Sequence, residues 1–289
     1  MRPVCWRRWA GPPLTRSRRR RWIRPLASGG LFARLGKDMP DARILDVFRL
    51  PTDYHNLKVL VKSRGEDCRR LLMAGGRWDL EQLLSDYRQR ELRDFLPAET
   101  AQAVQQARQA LAETGNGQAC DLVLDGTCFR ELTRLADAVG CPALTDYLRT
   151  RIDGVNLCSS VRARRLRKGP DFLRRVLLEG GSVPPAALEE AAPADLRELY
   201  AATPLREAAG LAEGISAGGG SMTALEKQCD NAVLRLAAKA RRTPFGVETA
   251  LGYLIAAEAE LTAVRTIMTG RRAGLSADAI RERLRDIYG

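Results

Sequence analysis

The sequence predicts an all-α protein, and three observations carry that reading. Alanine, leucine, arginine and glutamate dominate its 289 residues while β-branched and aromatic side chains are sparse, a balance that favours helix over strand. No run alternates apolar and polar residues as a half-buried strand does, whereas Val247, Ala250, Leu251, Leu254, Ile255, Leu261, Val264 and Met268 form a stripe at helical spacing. Prolines and glycines fall between the helix-like stretches, where they punctuate the chain.

Taken in order, Ala98 to Glu113 is rich in alanine and glutamine, follows Pro97 and stops at Gly115-Asn116-Gly117. Phe129 to Val139 and Leu144 to Ile152 are amphipathic and divided by Gly140-Cys141-Pro142. Thr243-Pro244-Phe245-Gly246 separates two long helices near the end. The tract from Gly214 to Ser221 reads as the main internal linker and Gly115 to Gly117 as a weaker one. Loops this short join antiparallel neighbours in helical bundles. The longest uncharged apolar stretch near the C-terminus, Ala250 to Ala257, is far shorter than the roughly 20 residues needed to span a bilayer, so no membrane-spanning segment is expected.

The formal net charge of +12 suggests a nucleic-acid partner until its location is considered. No acidic residue precedes Asp38, and residues 1–37 hold eleven of the 47 basic residues, which leaves 36 against 35 acidic ones in the rest. The body is therefore almost neutral, and no nucleic acid is expected on it. Residues 1–30 are arginine-rich, acid-free and broken by prolines, so they are expected to form a basic disordered arm. Three readings of that arm stay open: non-native sequence from an upstream start, a basic arm touching anionic lipid or nucleic acid, and an organelle transit peptide. Arg7-Arg8 does not open an export signal, because no apolar run follows it.

Reactive chemistry finds little support. The seven cysteines lack metal-ligand or disulfide spacing and suit free thiols in a reducing compartment. His55 is the sole histidine, which argues against a His-rich metal site, and it is expected on a helix surface. Glu189-Glu190 and the pair Glu258 and Glu260 are expected on solvated faces, and no phosphate-binding loop occurs. No catalytic residue, cofactor or metal is expected.

A repeat runs through the body. Asp53, Asn56, Leu57, Val61 and Arg64 recur at an offset of 100 as Asp153, Asn156, Leu157, Val161 and Arg164, with Lys62 matching Arg162. Arg69-Arg70-Leu71-Leu72-Met73-Ala74-Gly75-Gly76 recurs at an offset of 105 as Arg174-Arg175-Val176-Leu177-Leu178-Glu179-Gly180-Gly181. Leu92-Arg93-Asp94-Phe95 then matches Leu196-Arg197-Glu198-Leu199. A weaker third copy runs from Leu261 through Arg265 to a closing block Leu284-Arg285-Asp286-Ile287. Three repeats follow, 31–117, 118–217 and 218–289, the first incomplete because a leading helix is missing where the basic arm stands. Asn56 and Asn156 are expected to open and cap helices, with Leu57, Lys58, Leu157, Arg162 and Arg265 as further architectural positions of the motif. The glycine pairs are expected to end the following helices in left-handed geometry. The run Arg164, Arg165, Arg167 and Lys168 is a candidate partner contact, or a solvated helix end whose cations complement the helix dipole.

Asp53-Tyr54-His55-Asn56-Leu57-Lys58-Val59-Leu60-Val61-Lys62, Asp153-Gly154-Val155-Asn156-Leu157 and Pro244-Phe245-Gly246-Val247-Glu248 resemble the C subunit of bacterial and archaeal V/A-type ATP synthases. So do Glu258 to Arg271 and the stretch from Gly274-Leu275-Ser276 to Tyr288. The eukaryotic counterpart is the vacuolar ATPase d subunit. The resemblance covers about 31–289 and implies a pseudo-threefold funnel of three similar helical domains, here with its N-terminal domain truncated. It further implies a non-catalytic connector, peripheral on the cytoplasmic face of the membrane and monomeric within its complex. Its partners would be the rotor-shaft subunits of D and F type and the proteolipid ring. Two departures stand out: the basic arm replaces an N-terminal helical segment, and Ala263 stands where the family has asparagine, although Arg265 remains. The alternatives are a helical-repeat adaptor of another complex and an Arg-armed nucleic-acid-binding protein.

Overall fold

The structure, a computed structural model, describes residues 41–64, 68–89, 92–240 and 246–286, with positions 32, 35–37 and 39 ahead of them. The basic arm, Thr243-Pro244-Phe245, Ile287 and Tyr288 lie outside the described residues. Among the described residues the regular structure is helical throughout. The all-α expectation holds.

Five long helices form the frame: α1 (Arg43–Ser63), α5 (Gly117–Val139), α6 (Pro142–Arg165), α11 (Met222–Ala240) and α12 (Val247–Arg272). Between α1 and α5 lie α2 (Leu80–Gln89), α3 (Leu92–Phe95) and α4 (Ala98–Thr114). Between α6 and α11 lie α7 (Pro170–Val176), α8 (Pro185–Glu190), α9 (Leu196–Leu199) and α10 (Arg206–Ser216); α13 (Ala277–Arg283) closes the series.

Punctuation residues set several of these ends. Gly115 and Gly140 adopt φ of 63° and 67° and send their N–H groups back to Leu111 and Ala136, closing α4 and α5 in left-handed geometry. Asn116 caps α5 by accepting from the Gln118 N–H at 2.9 Å, and Pro142 occupies the first turn of α6, where its missing N–H costs nothing. Both helices are longer than their amphipathic cores, because packing extends what local pattern only starts. The linker is correspondingly shorter, since α10 runs through Gly214 to Ser216.

Packing runs as a relay: α5 lies against α1, α4 and α6; α6 lies against α5, α10 and α11; α11 lies against α6, α12 and α13. One core cluster joins α1, α2, α4, α5 and the start of α6 to Leu251, Leu254 and Ile255 of α12. A second joins the end of α6, with Leu157 and Val161, to α10 and α11. Leu57 and Leu157 are both fully buried, each contributing about 2 kcal/mol by removal from water. The remaining members of the α12 stripe, such as Leu261, Val264 and Met268, are only half-buried.

Candidate functional site

The repeated polar residues form two clamps, each holding a loop against the middle of a long helix. In the first, Asn56 of α1 donates through Nδ2 to the Met73 carbonyl and accepts the Met73 N–H, both at 2.8 Å. One turn earlier, Asp53 accepts the Arg77 N–H at 3.0 Å and the Trp78 N–H at 3.4 Å. In the second, Asn156 of α6 makes the same two bonds with Leu178, again at 2.8 Å. Asp153 accepts the Ser182 N–H at 3.1 Å and the Val183 N–H at 3.2 Å. Every helix residue pairs at an offset of 100 and every loop residue at 105, the two offsets that separate the sequence blocks.

The glycine pairs belong to these loops. Gly75 and Gly180 take φ of 104° and 95°, which turns the chain toward the helix. A Cβ on Gly76 would lie 1.9 Å from Asp53 Oδ1, and one on Gly181 would lie 2.3 Å from Asp153 Oδ1. The expectation that these glycines end helices is corrected: they let a loop backbone sit on a buried carboxylate. Asn56 and Asn156 likewise do not open helices. Pro51-Thr52-Asp53 has the local chemistry of a helix start, yet α1 runs from Arg43 straight through it. Fourteen residues of α6 precede Asn156, which is fully buried.

Burial pushes the Asp53 and Asp153 carboxyls up, and the backbone N–H groups they accept pull them back. The first clamp is further tied down by Arg77, which donates to Asp53 at 3.3 Å and to Glu131 of α5 at 2.7 Å. Tyr54 donates to the other Glu131 oxygen at 2.9 Å. In the second clamp, Tyr200 donates to the Asp153 carbonyl at 3.4 Å. The closing blocks are also alike. α3 and α9 are four-residue helices whose first leucines, Leu92 and Leu196, are buried.

Cross-helix ion pairs follow the same double offset, a relation the sequence reading missed. Lys62 of α1 donates to Asp121 of α5 at 2.6 Å, and Arg162 of α6 pairs with Glu226 of α11. Glu226 stands 105 residues after Asp121, and α11 begins 105 residues after α5. Lys58 pairs with Asp125 beside the first of these bridges.

The third copy differs. Ala263 and Arg265 lie on α12, half-buried and exposed respectively. The asparagine that holds the chain's last described segment is Asn231 of α11, which donates to Asp286 Oδ2 at 2.7 Å and accepts the Asp286 N–H at 3.0 Å. A buried asparagine clamp is thus retained, from the preceding helix. Residues 284–286 are not helical, unlike α3 and α9.

Of the basic run, Arg164 turns inward and donates to the carbonyls of Leu188 and Ala191 at 3.1 and 2.7 Å, capping the C-terminus of α8. Arg165, Arg167 and Lys168 are exposed around Leu166, itself 66% exposed. His55 sits half-buried on α1 with Nε2 3.1 Å from the Leu71 carbonyl. Glu258 is engaged by the Tyr147 hydroxyl at 3.3 Å and by Arg151 at 3.6 Å, and Glu260 is exposed.

A groove of about 380 Å³ opens between α6, α11 and α12, walled by Arg151, Cys158, Arg162, Cys229, Glu258 and Thr262 among others. Three ion pairs lie along it, Arg162 with Glu226, Arg285 with Asp230 at 2.7 Å and Arg151 with Glu258, while Arg283 on the same wall donates to the Ala279 carbonyl. No cluster of three or more metal-ligating side chains occurs among the described residues, and no helix there is long and apolar enough to cross a membrane.

Residues 32–283 match the family described as ATP synthase (C/AC39) subunit. Among curated proteins, the chain is similar to the C subunit of the V-type sodium ATPase of Enterococcus hirae. The two are 25% identical over 263 residues, which cover 89% of this chain and 79% of the relative.

Proposed function

The chain belongs to the ATP synthase (C/AC39) subunit family, and from that premise we propose that it is the non-catalytic central-stalk connector of a V/A-type rotary ATPase. In this role it joins a rotor shaft of D- and F-type subunits to the proteolipid ring, as one copy per complex, peripheral on the cytoplasmic face of the membrane. It passes torque from one partner to the other and needs no cofactor or metal. The observation that carries the reading is the family match across almost the whole body, residues 32–283.

The clamps support it physically. A part that carries torque must resist bending at its helix–loop junctions. Each clamp fixes a loop to mid-helix through four or more hydrogen bonds to buried Asp and Asn side chains. Repetition of the clamp and of the cross-helix ion pairs supports a relation between the units 31–117 and 118–217; with 218–289 as a third and more divergent unit, they would form a pseudo-threefold funnel. Arg165, Arg167 and Lys168 are the exposed side chains of the basic run placed to meet a partner, Lys168 from over the Phe172 ring. Arg164 serves the fold instead.

Affinity capture of the tagged chain from membranes of its native host, with mass spectrometry of what co-purifies, tests this role. Recovery of rotor-shaft subunits together with the proteolipid is expected. Recovery of a different complex, or of nucleic acid alone, would overturn it.

A further inference from the structure

Cys158 of α6 and Cys229 of α11 face each other with their sulfurs 3.8 Å apart. Both are buried, at 6% and 7% exposure, yet both reach the wall of the groove, which gives a small solute a route to them. Gly154 stands one turn before Cys158, and a Cβ there would lie 3.3 Å from the Cys229 Cβ. Its missing side chain is what lets α11 press so closely on this turn of α6. A disulfide needs the sulfurs at about 2.05 Å, and the two already stand in van der Waals contact.

We infer that Cys158 and Cys229 form a modification site, a buried dithiol that a two-electron oxidant of the peroxide class converts reversibly into a disulfide stapling α6 to α11. Cys158 is the attacking sulfur. Either thiol can donate across the contact; with Cys229 donating, that bond and Arg162, one turn along from Cys158, hold Cys158 below the ordinary thiol range. The same contact, with burial, holds Cys229 well above it. Elsewhere burial raises Cys120 and pushes Cys128 up to about 12, so these thiols react slowly.

Cys158 gives up its proton and its sulfur attacks one peroxide oxygen. The O–O bond breaks, the departing hydroxide takes that proton as water, and Cys158 becomes a sulfenic acid. The Cys229 sulfur then attacks the Cys158 sulfur, the S–O bond breaks, and hydroxide leaves with the Cys229 proton as a second water. Two thiols and one peroxide give one disulfide and two waters; the sulfur pair loses two electrons and the peroxide gains them.

The test uses the full reduced chain, treated with hydrogen peroxide, blocked with N-ethylmaleimide and digested without reductant for peptide mass spectrometry. The expected main product links the Cys158 and Cys229 peptides within one chain and is released by dithiothreitol. Cys229→Ala should leave Cys158 as a sulfenic acid that dimedone traps, and Cys158→Ala should leave Cys229 unmodified. Oxidation should raise the melting temperature of the wild type by on the order of 5 °C, and that of neither variant. Disulfides spread over other cysteines, linkage between chains, or a folded wild type whose Cys158 and Cys229 stay reduced while other thiols oxidise would each overturn the assignment. Because the wild-type map alone decides these outcomes, a variant that folds poorly does not shelter the idea.

Discussion

Replacing Asn156 by alanine isolates the second clamp. Asn156 is fully buried and its partner Leu178 is 8% exposed, so water does not reach the Leu178 N–H and carbonyl once the amide is gone. Both bonds are 2.8 Å long, and each buried group left without a partner costs about 1–3 kcal/mol, giving about 4 kcal/mol for the pair. The gain in helix propensity returns about 0.6 kcal/mol, too little to alter the outcome. For 289 residues the unfolding entropy is about 0.6 kcal/mol/K, so melting should fall by about 6 °C. Asn56→Ala removes two bonds of the same length, but Met73 is only half-buried and water replaces part of the loss. A cost of about 2 kcal/mol and a fall of about 3 °C are expected there. Thermal and urea melts of both variants by far-ultraviolet circular dichroism decide the matter. An Asn156→Ala protein that melts with the wild type, or above Asn56→Ala, would refute the clamp as a source of stability.

Two further predictions rest on the same packing. Gly181→Ala puts a methyl 2.3 Å from Asp153 Oδ1 and 3.2 Å from Ile152 Cγ2, so the loop must leave the carboxylate and the protein should lose more than about 2 kcal/mol. Gly115→Ala meets no atom within 4 Å and carries only the left-handed backbone penalty of about 1 kcal/mol. Urea midpoints that rank the two substitutions the other way would show that collision with Asp153 is not what fixes the glycine. The rate at which peroxide oxidises Cys158 should rise with pH to a midpoint below the ordinary thiol value, because the donated Cys229 thiol and Arg162 favour the thiolate. In Cys229→Ala that midpoint should move to higher pH, and an unchanged profile would remove Cys229 from the activation of Cys158.

The sequence disclosed the repeat more fully than the roles of its parts. Offsets of 100 and 105 were legible because Asp, Asn and Gly-Gly are distinctive residue types. The five-residue difference between the offsets lies in the connection between helix and clamp loop, which tolerates insertion as exposed connections do. The cross-helix pairs escaped notice because Lys62 with Asp121 and Arg162 with Glu226 share charge signs rather than letters. Asn231 was invisible for a different reason: it lies one helix earlier than the repeat predicts, and only the approach of residue 286 gives it a partner. The cysteine pair joins positions 71 apart, which no spacing rule for metal or disulfide sites addresses.

The misreading of Asn56 and Asn156 as caps shows where local chemistry stops being informative. An asparagine satisfies free amides at a helix start, and the same donor and acceptor satisfy one loop residue's N–H and carbonyl from mid-helix. Propensity disfavours the second use, since asparagine is a weak helix former, yet the cost is a fraction of what an unpaired buried peptide group incurs. The distinguishing evidence is the glycine pair that follows each asparagine. A cap needs no distant glycine, whereas a loop pressed onto a buried carboxylate one turn before the asparagine cannot carry a Cβ there. Asp, Asn and Gly-Gly are therefore one device split across two segments. Losing Gly181 should damage the Asp153 bonds first and the Asn156 bonds through them, so the double variant Gly181→Ala with Asn156→Ala should lose less than the two single losses combined. Full additivity in urea melts would mean that helix and loop hold each other through independent contacts, and the device would have to be divided into separate parts.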